Sequence, residues 1–355
     1  VNVSYSTHGE NPPWIPIVSS YNASKGYYLW PVADSINNSV RVKVEDFSNP
    51  NVFDISDSNF TIVGSINIVK PNTNEDPWVV GGIRQIQWTP TGNFSQVLIQ
   101  GSSNGFANES ETWNITTVAA GAGGSTQLYN YTIPYDVKLS KGSADTKIRV
   151  RDADSYRGQY TTDISDEPFK VFGIIDVLVP NAGTELWKAG ETPTVQWQTF
   201  GGMDNVKIRL WNGQQWLTMA NSTNASAGVY SGWEVADNAV YQFAKVNVSD
   251  ASELLVNDSS NNTFKVIGSI GIIHPNTTDE ALYANETYPI NWTRRGVYGG
   301  STASLAYSTS GFGGPYNVIC ATMDISNLNG TYNWFVPADA LSTNVYLNVT
   351  HNSDP

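Results

Sequence analysis

The sequence predicts an all-β protein built of tandem β-sandwich domains, with almost no helix. One passage recurs three times, from Asn59 to Trp88, from Phe169 to Trp197 and from Thr263 to Trp292. Independent markers inside it repeat with the same steps of 109 and then 95 residues: Phe60, Phe169 and Phe264; Pro71, Pro180 and Pro275; Trp88, Trp197 and Trp292. Steps of about 100 residues match a β-sandwich and are too long for helical repeats or propeller blades. No segment shows a sustained helical spacing of apolar residues.

The repeats divide the chain into four segments. We expect a partial domain at 1–64 that lacks the opening strands, complete domains at 65–173 and 174–268, and a partial domain at 269–355 that lacks the closing strand. The copies meet at Gly64, Gly173 and Gly268 without Pro-rich or Ser-rich linkers, which predicts short joints and a fairly fixed angle between neighbours.

Each copy follows the same order of elements. An opening strand ends at Pro71, Pro180 or Pro275, and a turn and a second strand that ends on Trp follow it. A strand, a glycine hairpin and an aromatic residue come next (Trp14, Trp113, Trp216 and Tyr316). A second aromatic residue precedes a short extended run and an aspartate (Trp30, Tyr131, Trp233 and Trp334, with Asp34, Asp136, Asp237 and Asp339). Alternating strands then begin near Val40, Thr146, Lys245 and Val345, and their period of two predicts half-buried antiparallel strands.

Composition excludes several functional classes. The net charge is −13 and only 14% of residues are charged, so there is no basic patch to neutralise phosphates, and nucleic-acid binding is not expected. The single cysteine, Cys320, cannot form an intrachain disulfide, and its apolar strand predicts a buried thiol. No apolar run reaches membrane-spanning length. The chain begins at Val1, which we interpret as processing or truncation.

Glycosylation sequons are the strongest compositional signal. Eighteen of the 36 asparagines stand in N-x-S/T, whereas the 65 serines and threonines would give roughly seven by chance. The excess predicts a heavily N-glycosylated extracellular protein; the alternative is an Asn/Ser/Thr-rich loop composition that is never modified. The candidates are Asn2, Asn22, Asn37, Asn59, Asn93, Asn108, Asn114, Asn130, Asn221, Asn224, Asn247, Asn257, Asn261, Asn276, Asn285, Asn291, Asn329 and Asn348.

The combined pattern resembles a known surface repeat. Its elements are I-x-P…W…G…I-x-W, then V-x-I-x-x-S-x-x-G…W, then G-x-Y-x-W-x-V-P, then V-x-V-x-D…D-x-S-D-x-x-F-x-V. They are similar to the Ig-like/fibronectin-III-like repeat of large prokaryotic cell-surface proteins and of the yeast cell-wall β-glucan-assembly and Ser/Thr-rich GPI-anchored family. The resemblance implies tandem Ig-like domains in an extracellular spacer, adhesin or surface-layer module, without catalytic residues. The third junction departs from it, with Tyr283 and Asn285 near the usual Trp and Gly positions.

No motif predicts an enzyme. The three histidines, His8, His274 and His351, lie in unlike contexts, and no phosphate loop or zinc or nucleophile motif occurs. The acids recur with the domains, which favours structural roles. One such set could bind Ca²⁺ near the joints, although Asx-turns are the preferred interpretation. It comprises Asp46, Asp54, Asp57, Asp152, Asp163, Asp166, Asp250 and Asp258, with Asn261 at the position of Asp57.

Twelve tryptophans raise the alternative of carbohydrate binding through stacking. Most of them recur at equivalent positions, which favours core packing, and Trp211, which has no repeat partner, is the better candidate for an exposed ring.

The incomplete first and last copies allow two interpretations. They are either parts of a longer chain or acceptors for a neighbouring subunit's strand, as in strand-complemented filaments. We therefore expect an extracellular structural protein that self-assembles head to tail into a filament or surface layer. The alternative is an adhesin or carbohydrate-binding stalk that binds cell-surface glycans.

Overall fold

The computed structural model describes residues 1–137, 145–278, 280–296 and 301–352 of the 355. Regular structure in these ranges consists of strands and six 3₁₀ turns of three residues, without an α-helix, which confirms the predicted all-β class. The 3₁₀ turns are Ala23–Lys25, Glu109–Glu111, Arg157–Gln159, Ala225–Ala227, Asp237–Ala239 and Ala338–Ala340. The chain forms two compact units, Val1–Gly173 and Ile174–Pro355. Every sheet lies inside one of the four predicted segments, here called copies one to four; the four-domain division itself stays a prediction.

Copy one contains a single layer of strands. Its sheet has the order β2-β1-β3-β4, and β5 also pairs with β3. The five strands are β1 (Asn2–Ser6), β2 (Ile15–Val18), β3 (Asn37–Glu45), β4 (Phe53–Ile55) and β5 (Phe60–Ile62). The run that leads up to Trp30 forms no strand, because its partner in the other copies, the second strand, has no counterpart among residues 1–64.

Copy two is a two-sheet sandwich. Its strands are β6 (Ser65–Lys70), β7 (Trp78–Val79), β8 (Ile83–Thr91), β9 (Gln96–Ser102), β10 (Thr112–Ala119), β11 (Gln127–Thr132), β12 (Lys147–Asp152), β13 (Thr162–Ile164) and β14 (Val171–Phe172). The orders are β11-β8-β6 and β10-β9-β12-β13, and β14 pairs in parallel with β7. Without the short strand β7, the first, second and fifth strands of the copy (β6, β8 and β11) form one sheet, and the third, fourth and sixth (β9, β10 and β12) form the other. This division between two sheets is Ig-like.

Copy three repeats this topology. Its strands are β15 (Ile174–Val179), β16 (Leu186–Lys188), β17 (Val195–Phe200), β18 (Asn205–Trp211), β19 (Trp216–Asn224), β20 (Val229–Tyr230), β21 (Tyr241–Asp250), β22 (Asn257–Ser259) and β23 (Phe264–Ile267). One sheet has the order β15-β17-β20. The other has the order β16-β23-β21-β18-β19, with β22 also on β21.

Copy four has both sheets without a closing strand among its described residues. Its strands are β24 (Ser269–His274), β25 (Thr287–Arg295), β26 (Thr302–Ser308), β27 (Asn317–Asp324), β28 (Asn329–Phe335) and β29 (Tyr346–His351). The orders are β24-β25-β28 and β27-β26-β29. Cys320 on β27 is a free, half-buried thiol rather than the fully buried one expected from its strand.

The repeated tryptophans at the second strand occupy equivalent places in the core. Trp88, Trp197 and Trp292 are each 4% exposed or less. The indole Nε1 of Trp88 donates to the carbonyl of Ala120, and that of Trp197 donates to the carbonyl of Ala225. The rings of Trp88 and Trp197 therefore fill the space between two sheets while their polar edges are satisfied.

Within each unit, neighbouring copies are joined by the same kind of contact. In the first unit, the Asp34 carboxylate accepts a hydrogen bond from the backbone N–H of Asn93 at 2.7 Å. In the second unit, the Asp237 carboxylate accepts one from the N–H of Gly296 at 2.9 Å. Asp237 also accepts from Arg295 Nε at 3.0 Å. In both units, the aspartate that follows the second recurring aromatic residue thus fixes the turn after the second strand of the next copy.

Candidate functional site

The predicted glycosylation sites lie mainly on the surface. Fourteen of the 18 sequon asparagines are exposed, three are half-buried and one is buried. The half-buried ones are Asn2, Asn37 and Asn291, and the buried one is Asn247. All four copies carry exposed members, so glycans at these positions would extend into solvent.

Asn247 is the exception, because its side chain is part of a closed polar cluster. Its side chain is only 4% exposed. Its Nδ2 donates to Asn257 Oδ1, to the carbonyl of Asp258 and to Ser259 Oγ at 3.0–3.1 Å. Its Oδ1 accepts from Arg209 at 2.9 Å. A glycan on Nδ2 would break this cluster, so we no longer count Asn247 among the acceptors of the folded protein.

The acidic set does not gather into a metal centre. Among the described residues, no three His, Cys, Asp or Glu side chains are placed to hold a metal ion. Asp46, Asp152 and Asp250 instead accept backbone N–H groups two residues further along the chain, at 2.7–2.9 Å. These are Asx-turns, the interpretation preferred from the sequence.

Asp163 and Asp258 have a different role, because they link the two sheets of their copies. Asp163 lies opposite Val150 on the neighbouring strand, and its carboxylate accepts the backbone N–H of Ile68 at 2.6 Å. Asp258 accepts the N–H of Val177 at 2.8 Å. In both cases the donor lies on the opening strand, next to a break in its pairing register. The carboxylate therefore satisfies an amide that the sheet leaves unpaired.

The loop before the closing strand is also held by the opening segment, through an asparagine side chain. In copy two, Asn72 Oδ1 accepts the backbone N–H of Asp166, and Asn72 Nδ2 donates to its carboxylate, both at 2.9 Å. In copy three, Asn181 Oδ1 accepts the N–H of Asn261 at 2.6 Å. Each asparagine directly follows the proline that ends the opening strand.

The tryptophans divide between core and outer surface. Six of the twelve are buried, namely Trp78, Trp88, Trp187, Trp197, Trp292 and Trp334. Two members of the hairpin set lie on the outer face instead, with the Lys43 ammonium over the Trp14 ring and the Arg209 guanidinium over the Trp216 ring. Trp113 differs, because it lies opposite Gly101 on the core side of its sheet and its indole nitrogen is buried. Trp211, the ring expected to be exposed, is half-buried, and Trp216 is 38% exposed with its centroid 5.5 Å from that of Trp211. Trp211 is half-buried because it lies directly opposite Trp216 in the β18–β19 hairpin.

One further feature is an open sheet face in copy one, which we call the open face. It comprises Val3, Val44, Asp54 and Phe60. Val44 is 40% exposed, although its equivalents Val150 and Val248 are fully buried. Register fixes the equivalence, because these valines lie opposite Asp54, Asp163 and Asp258 respectively.

Phe60 shows the same difference. It is 38% exposed, whereas the equivalent Phe169 and Phe264 are 2% and 1% exposed. Those two rings pack on Trp78 and Trp187, with centroids 4.4 and 4.6 Å apart. Both tryptophans lie on the parallel strand that follows the opening strand, which residues 1–64 do not provide. The repeat marks Phe60 as the equivalent of these two rings, and residues 1–64 contain no partner that buries it.

The comparisons with known proteins concern the fold. No family model matches the chain, so its resemblance to the yeast cell-wall repeat gains no support, and a search of characterised proteins finds no relative. Solved structures do align with it. One is the ICAM-5 D1–D4 ectodomain fragment, at 12% identity and a TM-score of 0.31, over 84% of this chain and 82% of that one.

Two further structures align over similar lengths. One is a complex of Dpr2 Ig1-Ig2 with DIP-Theta Ig1-Ig3, at 9% identity and a TM-score of 0.29, over 77% of this chain and 99% of that one. The other is the three N-terminal domains of the bacteriophage RB49 outer capsid protein Hoc, at 11% identity and a TM-score of 0.22, over 82% and 87%. Because these scores are low, the Ig-like assignment rests on the strand order described above.

Proposed function

We propose that this chain is an extracellular, N-glycosylated structural protein that self-assembles into a filament or surface layer. Its role in this proposal is mechanical and not enzymatic. The tandem Ig-like sandwiches give the protein length, and the glycans give solubility and protection from proteases. Contacts between neighbouring chains form the polymer.

The exposed sequons are the observation that carries the proposal. They occur at more than twice the frequency expected by chance, and fourteen of them lie on outer surfaces distributed over all four copies. Charged residues usually protect exposed sheet edges from unwanted pairing, and this chain has few lysines and arginines. The glycans would protect the sheet edges in their place. Among the described residues no helix could span a membrane.

Self-assembly is supported by the open face. Strand addition to an exposed sheet is a known mode of association, and head-to-tail contacts of this kind propagate instead of closing. Val44 and Phe60 are apolar side chains that a neighbour's strand would bury.

Electron microscopy of native surface material, combined with glycopeptide mapping, tests the proposal. We expect ordered polymers that contain this chain, with glycans on a majority of the exposed sequons. Monomeric chains without glycans would contradict it.

A second candidate function is an adhesin or carbohydrate-binding stalk. The partly exposed Trp216 ring, which lies beside Trp211 and Arg209, favours it, because an exposed aromatic face suits a sugar ring. A glycan array with the parent protein and Trp216→Ala would distinguish the two functions. Binding that is lost in Trp216→Ala supports the adhesin.

A further inference from the structure

We propose that the outer face of the sheet β16-β23-β21-β18-β19 in copy three binds a polyuronic acid, a polysaccharide that carries a carboxylate on each sugar. The inference rests on the second candidate function, the carbohydrate-binding stalk, and names the ligand class of that site. Its basis is a group of five cations, here called the cationic face: Lys188, Lys207, Arg209, Lys245 and Lys265.

The cationic face contains every lysine and arginine of residues 174–268. Strand alternation gathers them, because each one adjoins a residue that points into the core. Lys207 and Arg209 flank the buried Ile208 on β18, and the other three likewise adjoin a buried residue on β16, β21 or β23. The composition predicts no basic patch, but the fold concentrates these charges on one side of one sheet.

No acid offsets these charges on the same side of the sheet. Copy three has nine aspartates and glutamates, but only Asp250 and Asp258 lie on the strands of this sheet. They lie opposite Val206 and Val248, whose buried side chains mark the core side. Asp258 accordingly accepts the N–H of Val177 on the other sheet at 2.8 Å. The outward strand positions of this sheet, all of them described, therefore carry positive charge alone.

The five cations also differ from their counterparts in the way they are compensated. On the corresponding sheets of copies one and two, Lys43 Nζ lies 2.7 Å from the Glu45 carboxylate, and an Arg149 nitrogen lies 3.2 Å from that of Glu109. No member of the cationic face has such an ion pair within the described part of the chain. An anionic ligand would therefore not have to displace an acid of the protein.

Aromatic rings lie among these charges. Trp211 lies opposite Trp216 on one neighbouring strand and opposite Lys245 on the other. The three side chains form a row across β19, β18 and β21 that is about 10 Å long at the usual strand spacing. In the next row, the Arg209 guanidinium lies 5.3 Å from the centroid of the Trp216 ring and donates to Asn247 Oδ1 at 2.9 Å. These two contacts fix the guanidinium in place beside the rings.

Charge complementarity and the rings together favour an acidic polysaccharide as the ligand. Carboxylates pair with lysine and arginine, and the apolar face of a sugar packs on an aromatic ring such as Trp216, which is 38% exposed. A polyuronic acid has both features in every sugar, so it can contact the row of rings and the neighbouring lysines at once. A nucleic acid fits less well, because its denser charge is repelled more strongly by a chain with a net charge of −13.

Isothermal titration calorimetry of the 355-residue protein with hexagalacturonate tests the proposal. We expect saturable binding that weakens as salt is added, because salt screens exposed charges. The fully methyl-esterified hexamer has the same sugar backbone without the charges, and it should bind at least about tenfold more weakly. Equal affinity for the two ligands would overturn the inference, as would the absence of hexagalacturonate binding.

Lys207→Gln combined with Lys245→Gln removes two charges from the cationic face and should weaken hexagalacturonate binding about tenfold or more. Lys25→Gln combined with Lys70→Gln is the matched control, because it makes the same change in net charge at two exposed lysines of copies one and two. The control should leave the affinity unchanged. Equal losses in the two double variants would show that net charge alone matters and would overturn the inference.

Three further outcomes would assign the cationic face to another partner and overturn the inference. The first is a DNA oligonucleotide of equal charge that binds as tightly as hexagalacturonate. The second is self-association that the Lys207→Gln/Lys245→Gln variant abolishes without added glycan, since the face would then bind a second copy. The third is tighter hexagalacturonate binding after enzymatic removal of the N-glycans, since the chain's own glycans would then occupy the face.

The inference and the proposed functions can fail separately. Binding of the methyl ester alone that is lost in Trp216→Ala would leave the carbohydrate-binding stalk in place and overturn only the acidic ligand class. Hexagalacturonate binding by a protein that forms no polymer in native material would support the inference and contradict the filament or surface layer.

Discussion

Asn247 and Asn348 occupy equivalent positions in the sixth strands of copies three and four, yet their surroundings differ. Asn247 is covered by the Arg209 side chain and by strand β22. Asn348 is exposed, because no strand equivalent to β22 lies beside it among the described residues. We expect glycopeptide mapping to find glycan on Asn348 and none on Asn247. Modification of Asn247 in folded protein would contradict this arrangement.

The sequon motif was readable in the sequence, but the burial of individual sequons was not. Burial of Asn247 depends on Arg209, which is 38 positions away along the chain, and on the pairing of β21 with β22. The same limit applies to Asp163 and Asp258. Their recurrence was visible, but their acceptance of an amide from the opening strand depends on contacts between sheets, which a period-two pattern does not encode.

Glu185 provides a pH-dependent prediction. Its carboxylate accepts the backbone N–H groups of Asn181, Ala182 and Gly183 at 2.7–2.8 Å. Partial burial raises its pKa, but the hydrogen bonds from these amides outweigh this effect, and the pKa is lowered overall. The stabilisation is therefore complete above the unfolded-state pKa of about 4.3 and is lost as the pH falls through the lower folded-state value.

We expect Glu185→Gln to destabilise the protein by about 1 kcal/mol at pH 7, because a neutral amide is a weaker acceptor. The difference in melting temperature between parent and variant should shrink as the pH falls below about 4. Asp176→Asn, which removes an exposed carboxylate of the same copy, controls for the change in net charge. A constant difference at all pH values would contradict the proposed role of these amides.

At the scale of the elements, the aromatic pair between the closing strand and its parallel neighbour makes a measurable contribution to the free energy of unfolding. Phe169 is buried against Trp78, so Phe169→Ala should cost about 3–5 kcal/mol through lost burial and a residual cavity. Phe60→Ala should cost less than about 1 kcal/mol, because the ring is already partly in water. Native-state hydrogen exchange in β12 and β3 measures the two effects separately. Similar losses would mean that Phe60 is covered in solution.

The sequence predicted most of these elements because their signals are local. Alternating apolar residues located β3, β12, β21 and β29, and the repeated tryptophan located β8, β17 and β25. The run that leads up to Trp30 forms no strand although its sequence matches the others, because a strand needs a partner and residues 1–64 supply none. Local pattern therefore predicts a potential strand, and topology determines whether it forms.

At the scale of the whole molecule, glycines allow the copies to join closely. Gly268 lies where a Cβ would come within 2.9 Å of the carbonyl oxygen of Arg295, whereas a Cβ at Gly271 would meet nothing within 4 Å. We expect Gly268→Ala to destabilise the second unit by about 1–3 kcal/mol, because the backbone must shift. Gly271→Ala, three positions along, is the control. Equal melting temperatures for the two variants would show that this joint is loosely packed.

Stability should differ between the copies. Three hydrophobic residues, Tyr5, Val40 and Ile62, are buried in the core of copy one, against ten in the core cluster of copy four. Since burial of apolar area is the main stabilising term, copy one should open at a lower free energy than its neighbours. Its β1 and β3 amides should therefore exchange with solvent much faster than those of β25 and β26.

Copy four makes this prediction specific, because it also lacks a closing strand among its described residues yet has both sheets. If incompleteness alone decided stability, copies one and four would exchange at similar rates. If the missing second sheet decides it, only copy one will be weakly protected, and protection of β3 will rise when the open face is occupied. Strong protection of β3 in the isolated chain would contradict the open face, since it would require a cover that copy one does not contain.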